Sequence, residues 1–199
     1  DFSHKIFFII RNEDEQNFGV KEFIKKIMKE KYTNKKFEIQ ILEKNTRGQA
    51  ETVLSCKKEI DNDRPLVIFN NDTYFKSTRL KSRLLSMKNQ NIDGILGIFN
   101  ANDPKYSFVE IDNEGIVVRT KEKEVISNFA STGLYVFSKG SDFVKSAEYV
   151  IERNILSKNE FYISELYNFL IKNGKKFTID FADEFAALGT PEDIKKFEA

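Results

Sequence analysis

The most constraining feature of this sequence is the alternation of short apolar runs with segments of helical spacing in its first half. The runs at residues 5–10, 37–42 and 65–69 are rich in β-branched and aromatic residues, and they are continuous rather than alternating. Continuous apolar runs are typical of strands covered on both faces, as in parallel sheets. The helical spacing between them predicts βαβ crossovers, and therefore an α/β fold with a mostly parallel central sheet.

The second half of the chain has a different pattern, with several short strands before it returns to helices. The segment 112–115 (Asp-Asn-Glu-Gly) predicts a hairpin turn, and Thr190 followed by Pro191 predicts a helix start. With no linker-like composition and no internal repeat, we expect one domain over residues 1–199. The predicted helices are 15–31, 48–60, 80–89, 141–152 and 162–172, and the later strands are 94–99, 108–111, 116–119, 134–137 and 177–181.

Charge and cysteine content limit the classes of partner. The chain has 32 Lys and Arg residues against 31 Asp and Glu, a net charge of +1. This balance predicts neither a nucleic acid nor a membrane partner, and it leaves a homo-oligomer open. No apolar run reaches membrane-spanning length and no signal peptide is evident. The single cysteine, Cys56, allows no internal disulfide, which agrees with a cytoplasmic location, and its helical context predicts a buried structural thiol.

The supply of catalytic side chains excludes several mechanisms. The only histidine is His4, at the terminus, so a Ser-His-Asp or Cys-His arrangement is not expected. A Rossmann-type dehydrogenase is disfavoured because the sequence contains no G-x-G-x-x-G.

Polar motifs follow two of the predicted strands. Asp72, in Asn70-Asn71-Asp72, ends a buried strand, where a parallel sheet presents its ligand site, and its carboxylate could hold Mg²⁺. The alternative is an Asx-turn or a helix cap. The turn Thr46-Arg47-Gly48 leads into a helix whose N–H groups could face an anion, or Thr46 could simply be its cap.

Two further segments are ambiguous by themselves. Lys121-Glu122-Lys123 is a charge run of the kind that usually faces solvent. Gly133, after Thr132, could be a strand bulge.

Taken in order, these segments resemble the sugar-phosphate nucleotidyltransferase family. The resemblance covers nearly the whole chain and rests on six landmarks: TRGQAETVL from Thr46, VIFNNDTY with Asp72, NDPKYSFVEIDNEG from Asn102, Glu122-Lys123, TGLY from Thr132, and LGTPED from Leu188.

The resemblance implies a Rossmann-like three-layer αβα sandwich with an added antiparallel hairpin region. It also implies a Mg²⁺-dependent enzyme that condenses a nucleoside triphosphate with a sugar 1-phosphate or similar small phosphate and releases pyrophosphate. The size favours the compact bacterial members without an appended domain. Some of these serve surface or capsule polysaccharide synthesis, and others are cytidylyltransferases that use non-sugar phosphates.

The same resemblance implies a role for each site residue. Asp72 would bind the metal, Lys123 would pair with the acceptor phosphate, and Glu122 would bind acceptor hydroxyls or an amine. Gly133 would let the strand approach the acceptor. The remaining implied contacts are Thr46, Gly48, Gln49 and Asn71 with the nucleotide, and Thr132 with the acceptor.

Two departures from the family pattern leave an alternative open. The family begins with a strand and a G-x-G-x-R triphosphate loop, and this sequence starts after them, so we expect the chain to be incomplete. Ala187 and Leu188 stand where many relatives carry an acidic metal ligand, for which Asp180 or Asp183 could substitute. A catalytically silent binding or regulatory module is therefore the alternative to the enzyme.

Overall fold

The computed structural model describes residues 5–199, which form two compact units divided between Arg47 and Gly48. The first unit contains β1 (Lys5–Arg11), α1 (Asn12–Phe18), α2 (Val20–Lys31) and β2 (Lys36–Leu42). Strands β1 and β2 pair in parallel over their full length, as expected for a βαβ crossover. The prediction of a single domain over 1–199 stays a prediction, and His4 lies outside the described residues.

The predicted helix at 15–31 is two helices, because Gly19 interrupts it. Gly19 has a φ of 61°, and its N–H donates to the carbonyl of Glu15 at 2.9 Å, which closes α1 with a left-handed cap. The apolar spacing beyond it is still that of a helix, so α2 continues to Lys31.

The second unit contains the longer sheet. Its elements are α3 (Gln49–Leu54), α4 (Lys57–Ile60), β3 (Leu66–Phe69), β4 (Thr73–Lys76), α5 (Leu80–Ser86), β5 (Gly94–Asn100), β6 (Ser107–Ile111), β7 (Val117–Glu122), β8 (Phe129–Phe137), α6 (Gly140–Glu152), α7 (Ile163–Lys172), β9 (Phe177–Phe181), β10 (Glu184–Ala187) and α8 (Pro191–Glu198).

Strand β8 organises this sheet. It pairs antiparallel with β3, β5 and β6, while β5 pairs in parallel with β9. Strands β3, β5 and β9 therefore run in one direction, and β8 runs in the opposite direction. Strands β6 and β7 form the predicted antiparallel hairpin, and β4 pairs with β10 in a separate two-stranded sheet. The predicted α/β class is confirmed, with a mixed sheet.

Strand β8 begins five residues before the predicted start at 134 and is buried along nearly all its length. Ser131 and Thr132 are 7% and 0% exposed, and such polar residues do not produce an apolar pattern. These two polar side chains can be buried because each forms a hydrogen bond. Ser131 Oγ and Thr132 Oγ1 accept from nearby backbone N–H groups.

The core beside β8 is aromatic. Tyr167 on α7 stacks on Phe137 with ring centroids 4.9 Å apart and meets Phe177 edge-on at 4.7 Å. Its hydroxyl donates to the carbonyl of Val136 at 3.2 Å, which satisfies its polar end. This packing fixes α7 against the central strand, and so fixes the residues that precede α7.

Two local predictions concern turns and the cysteine. Gly115 N–H donates to the Asp112 carbonyl at 3.1 Å, and Asp112 Oδ1 accepts from two backbone N–H groups, so the hairpin turn is confirmed. The predicted helix at 48–60 breaks at Ser55 and Cys56 into α3 and α4. Cys56 is 4% exposed, which confirms the buried thiol. Among residues 5–199, no helix has the length and apolar character that crossing a bilayer requires.

Candidate active site

The turn after β3 carries the predicted metal ligand, Asp72. The turn is fixed against β8, because Asn70 N–H donates to the Gly133 carbonyl at 3.1 Å and Thr73 Oγ1 donates to the Thr132 carbonyl at 3.1 Å. Asp72 is exposed, and its carboxylate has no hydrogen-bond or ion-pair partner among residues 5–199. An exposed carboxylate on a fixed turn suits a hard cation that retains water ligands.

Two residues of the closing segment lie beside Asp72, and neither is acidic. Ala187 pairs with Thr73, and Leu188 N–H donates to the Asp72 carbonyl at 2.7 Å. The position that the family resemblance predicts to be acidic is thus next to Asp72 in space and holds Ala187 and Leu188. Within the described part of the chain, no group of three metal-binding side chains forms.

The two predicted substitutes for that carboxylate are held elsewhere. Asp183 accepts from Thr78 and Arg79, and these hydrogen bonds, first the one from the Thr78 N–H, lower its pKa. It precedes β10 at the end opposite Asp72, roughly 13 Å away along four strand residues. Asp180 is 1% exposed, faces Arg83 Nε at 3.4 Å, and has a pKa raised by burial. A metal at Asp72 would therefore use one protein carboxylate with phosphate and water oxygens.

The predicted nucleotide side joins three segments of the second unit. Gln49 Nε2 donates to Asn70 Oδ1 at 3.3 Å. A methyl group on Gly133, whose φ is 84°, would stand 2.9 Å from the Asn70 side chain, so only glycine allows this approach. The Gln49 amide is thereby held beside the turn that carries Asp72.

The glycine at the start of α3 approaches another segment of the protein closely. A methyl group on Gly48 would lie 2.5 Å from the backbone nitrogen of Phe161, so the close approach that it permits is to Phe161. Ala50 N–H donates to the Phe161 carbonyl at 2.9 Å. That N–H is therefore used within the protein, and the predicted contact of Gly48 with the nucleotide stays a prediction. Gly48, rather than Thr46, occupies the N-cap position.

Glu122, at the end of β7, is a buried carboxylate with a defined set of donors. It is 5% exposed, and its Oε2 accepts from Ser107 Oγ and, at 2.9 Å, from Ser164 Oγ. Burial raises the pKa of Glu122, against the lowering effect of these two hydroxyls. Its other oxygen, Oε1, accepts no hydrogen bond from residues 5–199, and the predicted contact of Glu122 with the acceptor stays a prediction.

Lys123 follows with a backbone conformation that few lysines adopt. Its φ is 54°, in the left-handed region, and its N–H donates to the Tyr106 carbonyl at 3.1 Å. Such strain in a non-glycine residue costs on the order of 1 kcal/mol and concentrates at functional sites. Its Nζ donates to the hydroxyl of Tyr162 at 2.8 Å, and this hydrogen bond raises the pKa of Lys123.

Strand β8 contacts both the turn of the predicted metal ligand and the hairpin of the predicted acceptor ligand, and it carries the buried Tyr135. Burial raises the pKa of Tyr135 to about 12, and the negative charges of Glu122 and Asp72 add to this rise. The turn that carries Asp72 is hydrogen-bonded to Thr132 and Gly133 of β8, and Glu122 pairs with Ser107 of β6, whose next residue, Phe108, pairs with Ala130 of β8.

The remaining predicted residues occupy different environments. Asn71 is exposed beside Asp72. Thr132 is fully buried, and its hydroxyl lies next to Gly97 of the neighbouring strand β5. The carbonyl of Thr132 is the group that contacts the turn carrying Asp72. Thr46 belongs to the first unit and is half-buried. Their assigned roles in binding stay predictions.

Several residues that shape the site were not predicted from the sequence. Asn70, Ser107, Tyr162 and Ser164 hold Gln49, Glu122 and Lys123. One sequence feature could have indicated Tyr162. In the segment Asn159-Glu160-Phe161-Tyr162, two aromatic residues interrupt a polar stretch directly before a helix.

Comparison with known proteins identifies the family and the fold. The family model described as nucleotidyl transferase matches residues 5–197. The crystal structure of a nucleoside-diphosphate-sugar pyrophosphorylase from Vibrio cholerae RC9 has a TM-score of 0.80 and 28% identity, over 98% of this chain and 80% of that protein. A comparison with curated protein sequences returns no match.

Two more distant structures share the fold. A putative glucose-1-phosphate thymidylyltransferase from Bacillus anthracis, in complex with a sucrose, has a TM-score of 0.72 and 18% identity, over 96% of this chain and 73% of that one. A UDP-glucose pyrophosphorylase complexed with UDP-glucose has a TM-score of 0.72 and 17% identity, over 97% and 78%. With a family model matched over almost its entire length, the chain belongs to the nucleotidyl transferase family.

Proposed function

We propose that this protein transfers a nucleotidyl group from a nucleoside triphosphate to a sugar 1-phosphate or a similar small phosphate, and that it requires Mg²⁺. One observation carries the proposal: the turn that carries Asp72 is hydrogen-bonded to Thr132 and Gly133 of β8, and Glu122 reaches the same strand through β6. Glu122 pairs with Ser107, and the next residue of β6, Phe108, pairs with Ala130 of β8, with Lys123 next to Glu122. Two anionic reactants need a carboxylate that holds the metal and a cation that pairs with the acceptor phosphate, and Asp72 and Lys123 would have these two roles.

In the proposed reaction, an oxygen of the acceptor phosphate attacks the α-phosphorus of the triphosphate. A new phosphorus–oxygen bond forms, the bond to the β-phosphate breaks, and pyrophosphate leaves with the electron pair. No protein nucleophile is needed, so positioning and charge neutralisation supply the catalysis. This suits a site whose side chains are the carboxylates of Asp72 and Glu122, an amide and an ammonium group.

Each residue has a distinct task in this scheme. Lys123 Nζ would neutralise the acceptor phosphate, and Glu122 Oε1 would accept from its hydroxyls or amine. The amide of Gln49, held by Asn70, would hydrogen-bond to the edge of the base. Mg²⁺ bound at Asp72 would neutralise charge on the reacting phosphates.

The finer parts of the proposal rest on the family resemblance. We infer a role in surface or capsule polysaccharide synthesis or modification, with a cytidylyltransferase reaction among the candidates. The Vibrio relative is described as a nucleoside-diphosphate-sugar pyrophosphorylase, which supports a sugar phosphate as acceptor.

One observation favours a second function, a catalytically silent nucleotide-binding or regulatory module. Ala187 stands beside Thr73, next to Asp72, where the family resemblance predicts a second acidic metal ligand. A protein that binds the nucleotide without turnover would tolerate this loss.

The deciding experiment measures pyrophosphate release by the full-length gene product with Mg²⁺. CTP, UTP, GTP, ATP and dTTP are each paired with glucose 1-phosphate, other sugar 1-phosphates and phosphocholine. Release that depends on one triphosphate and one acceptor supports the enzyme. Nucleotide binding by calorimetry without release from any pair supports the silent module.

A further inference from the structure

The hydroxyl of Tyr162 is the hydrogen-bond partner of the Lys123 ammonium group. Besides accepting from Nζ at 2.8 Å, Tyr162 presents its ring to the same nitrogen, 5.1 Å from the ring centroid. Tyr162 itself is 9% exposed, whereas Lys123 is exposed. The buried tyrosine is therefore the fixed member of the pair, and the lysine is the side chain that it restrains.

The segment that carries Tyr162 is a tight turn of defined geometry. Ser157 and Glu160 exchange two backbone hydrogen bonds, of 3.0 and 2.9 Å, around Lys158 and Asn159. Both central residues have positive φ, 47° and 67°, the conformation of a two-residue hairpin turn. The turn directs the chain so that Phe161 and Tyr162 enter the unit directly before α7.

The other side of this segment is fixed by α3. The Phe161 carbonyl accepts from Ala50 N–H at 2.9 Å, and Gly48 provides the space for the Phe161 backbone. Phe161 is 1% exposed. Tyr162 is thus held between a buried neighbour and a packed helix, and its hydroxyl has little freedom to move away from Lys123.

From these contacts we propose that Tyr162 is a positioning residue that holds the Lys123 ammonium group where the acceptor phosphate binds. The inference rests on the proposed function. A long lysine side chain loses rotamer freedom when it binds a ligand, and the Tyr162 contacts restrain it beforehand. The hydroxyl accepts from Nζ and leaves the remaining two ammonium hydrogens for phosphate oxygens.

The first test is steady-state kinetics of Tyr162→Phe, which keeps the ring and removes the hydroxyl. We expect KM for the acceptor to rise on the order of 10-fold, as for loss of a hydrogen bond to a charged group, with KM for the triphosphate within about 2-fold. Tyr149→Phe is the matched control, because Tyr149 stacks on Phe169 with ring centroids 4.2 Å apart and lies outside the candidate site. An unchanged acceptor KM in Tyr162→Phe would overturn the proposal.

The second test needs no turnover. Trace acylation with acetic anhydride, read by mass spectrometry, reports how reactive each lysine amine is. Because the Tyr162 hydrogen bond raises the pKa of Lys123, its loss should make Lys123 react severalfold faster, while Lys57, paired with Glu148 at 2.5 Å, keeps its rate. Equal Lys123 labelling in both proteins refutes the Tyr162 contact even if the enzyme is active. Absence of pyrophosphate release from the wild type refutes the proposed function and leaves the labelling result to decide the contact.

Discussion

Gly133 and the side chain of Asn70 lie so close together that a methyl group on Gly133 would stand 2.9 Å from the Cβ, Cγ and Nδ2 atoms of Asn70. Two segments far apart in the sequence therefore meet at a point where no other residue fits. Because Asn70 also accepts from Gln49 Nε2, this contact sets the amide of the predicted base-reading residue.

Gly133→Ala should lower the free energy of unfolding by about 2–4 kcal/mol, the sum of an unfavourable φ and a forced displacement of Asn70. Gly174→Ala is the matched control, since Gly174 has nearly the same φ, 83° against 84°, and open space around it. We expect Gly174→Ala to lose only about 1 kcal/mol. Urea titrations of both variants check the difference, and equal losses would show that the Asn70 contact is unimportant.

Asp72→Asn should reduce turnover on the order of 100-fold or more without changing the thermal midpoint. The amide keeps the shape of the side chain but removes the charge that would hold Mg²⁺. The side chain has no partner among residues 5–199, so the fold has little to lose. Exposed Asp61→Asn is the control, with full turnover expected. Near-normal turnover in Asp72→Asn would remove Asp72 from the site.

The elements with local signals were predictable from the sequence. The strand at 177–181, the hairpin turn at Asp112 and the helix start at Thr190 all agree with the structure. Each depends on residues within four positions of one another. Strands β4 and β10 were not predicted, because each is four residues long and exists only through pairing with the other.

The site was predictable only in part, for the same reason. Asp72, Glu122 and Lys123 lie in motifs that resemble the family. The side chains that hold them are distant in sequence: Ser164 is 42 positions from Glu122, and Tyr162 is 39 positions from Lys123. Periodicity and motif spacing carry no information about such pairs, which arise from the folding of α7 against β7.

Thr190→Ala should destabilise α8 by about 1 kcal/mol. Thr190 Oγ1 accepts from Asp193 N–H at 3.1 Å and donates to Asp193 Oδ2 at 2.8 Å, so the substitution leaves the first turn uncapped. Thr190→Ser retains the hydroxyl and should behave like the wild type. Hydrogen exchange of the α8 amides measures the effect. Equal protection in all three proteins would contradict the capping role.

Glu122→Gln should make the protein more stable at neutral pH while it impairs acceptor binding. Burial raises the pKa of Glu122 above its ordinary value of 4.5, so the folded state binds the proton more tightly than the unfolded state. The stability contributed by this group is then fully present below pH 4.5 and is lost as the pH rises through the raised pKa. Glutamine is neutral throughout and avoids this loss.

Urea midpoints of the wild type and Glu122→Gln, taken between pH ~4.5 and ~8, should therefore diverge as the pH rises, with the variant becoming the more stable. Exposed Glu124→Gln is the control and should follow the wild type at every pH. In the same preparations, kcat/KM for the acceptor should fall on the order of 10-fold in Glu122→Gln only, because a carboxylate accepts more strongly than an amide oxygen. The opposite result would be a wild type that becomes more stable than Glu122→Gln as the pH rises. It would show that the protein stabilises the Glu122 carboxylate as an anion and lowers its pKa rather than raising it.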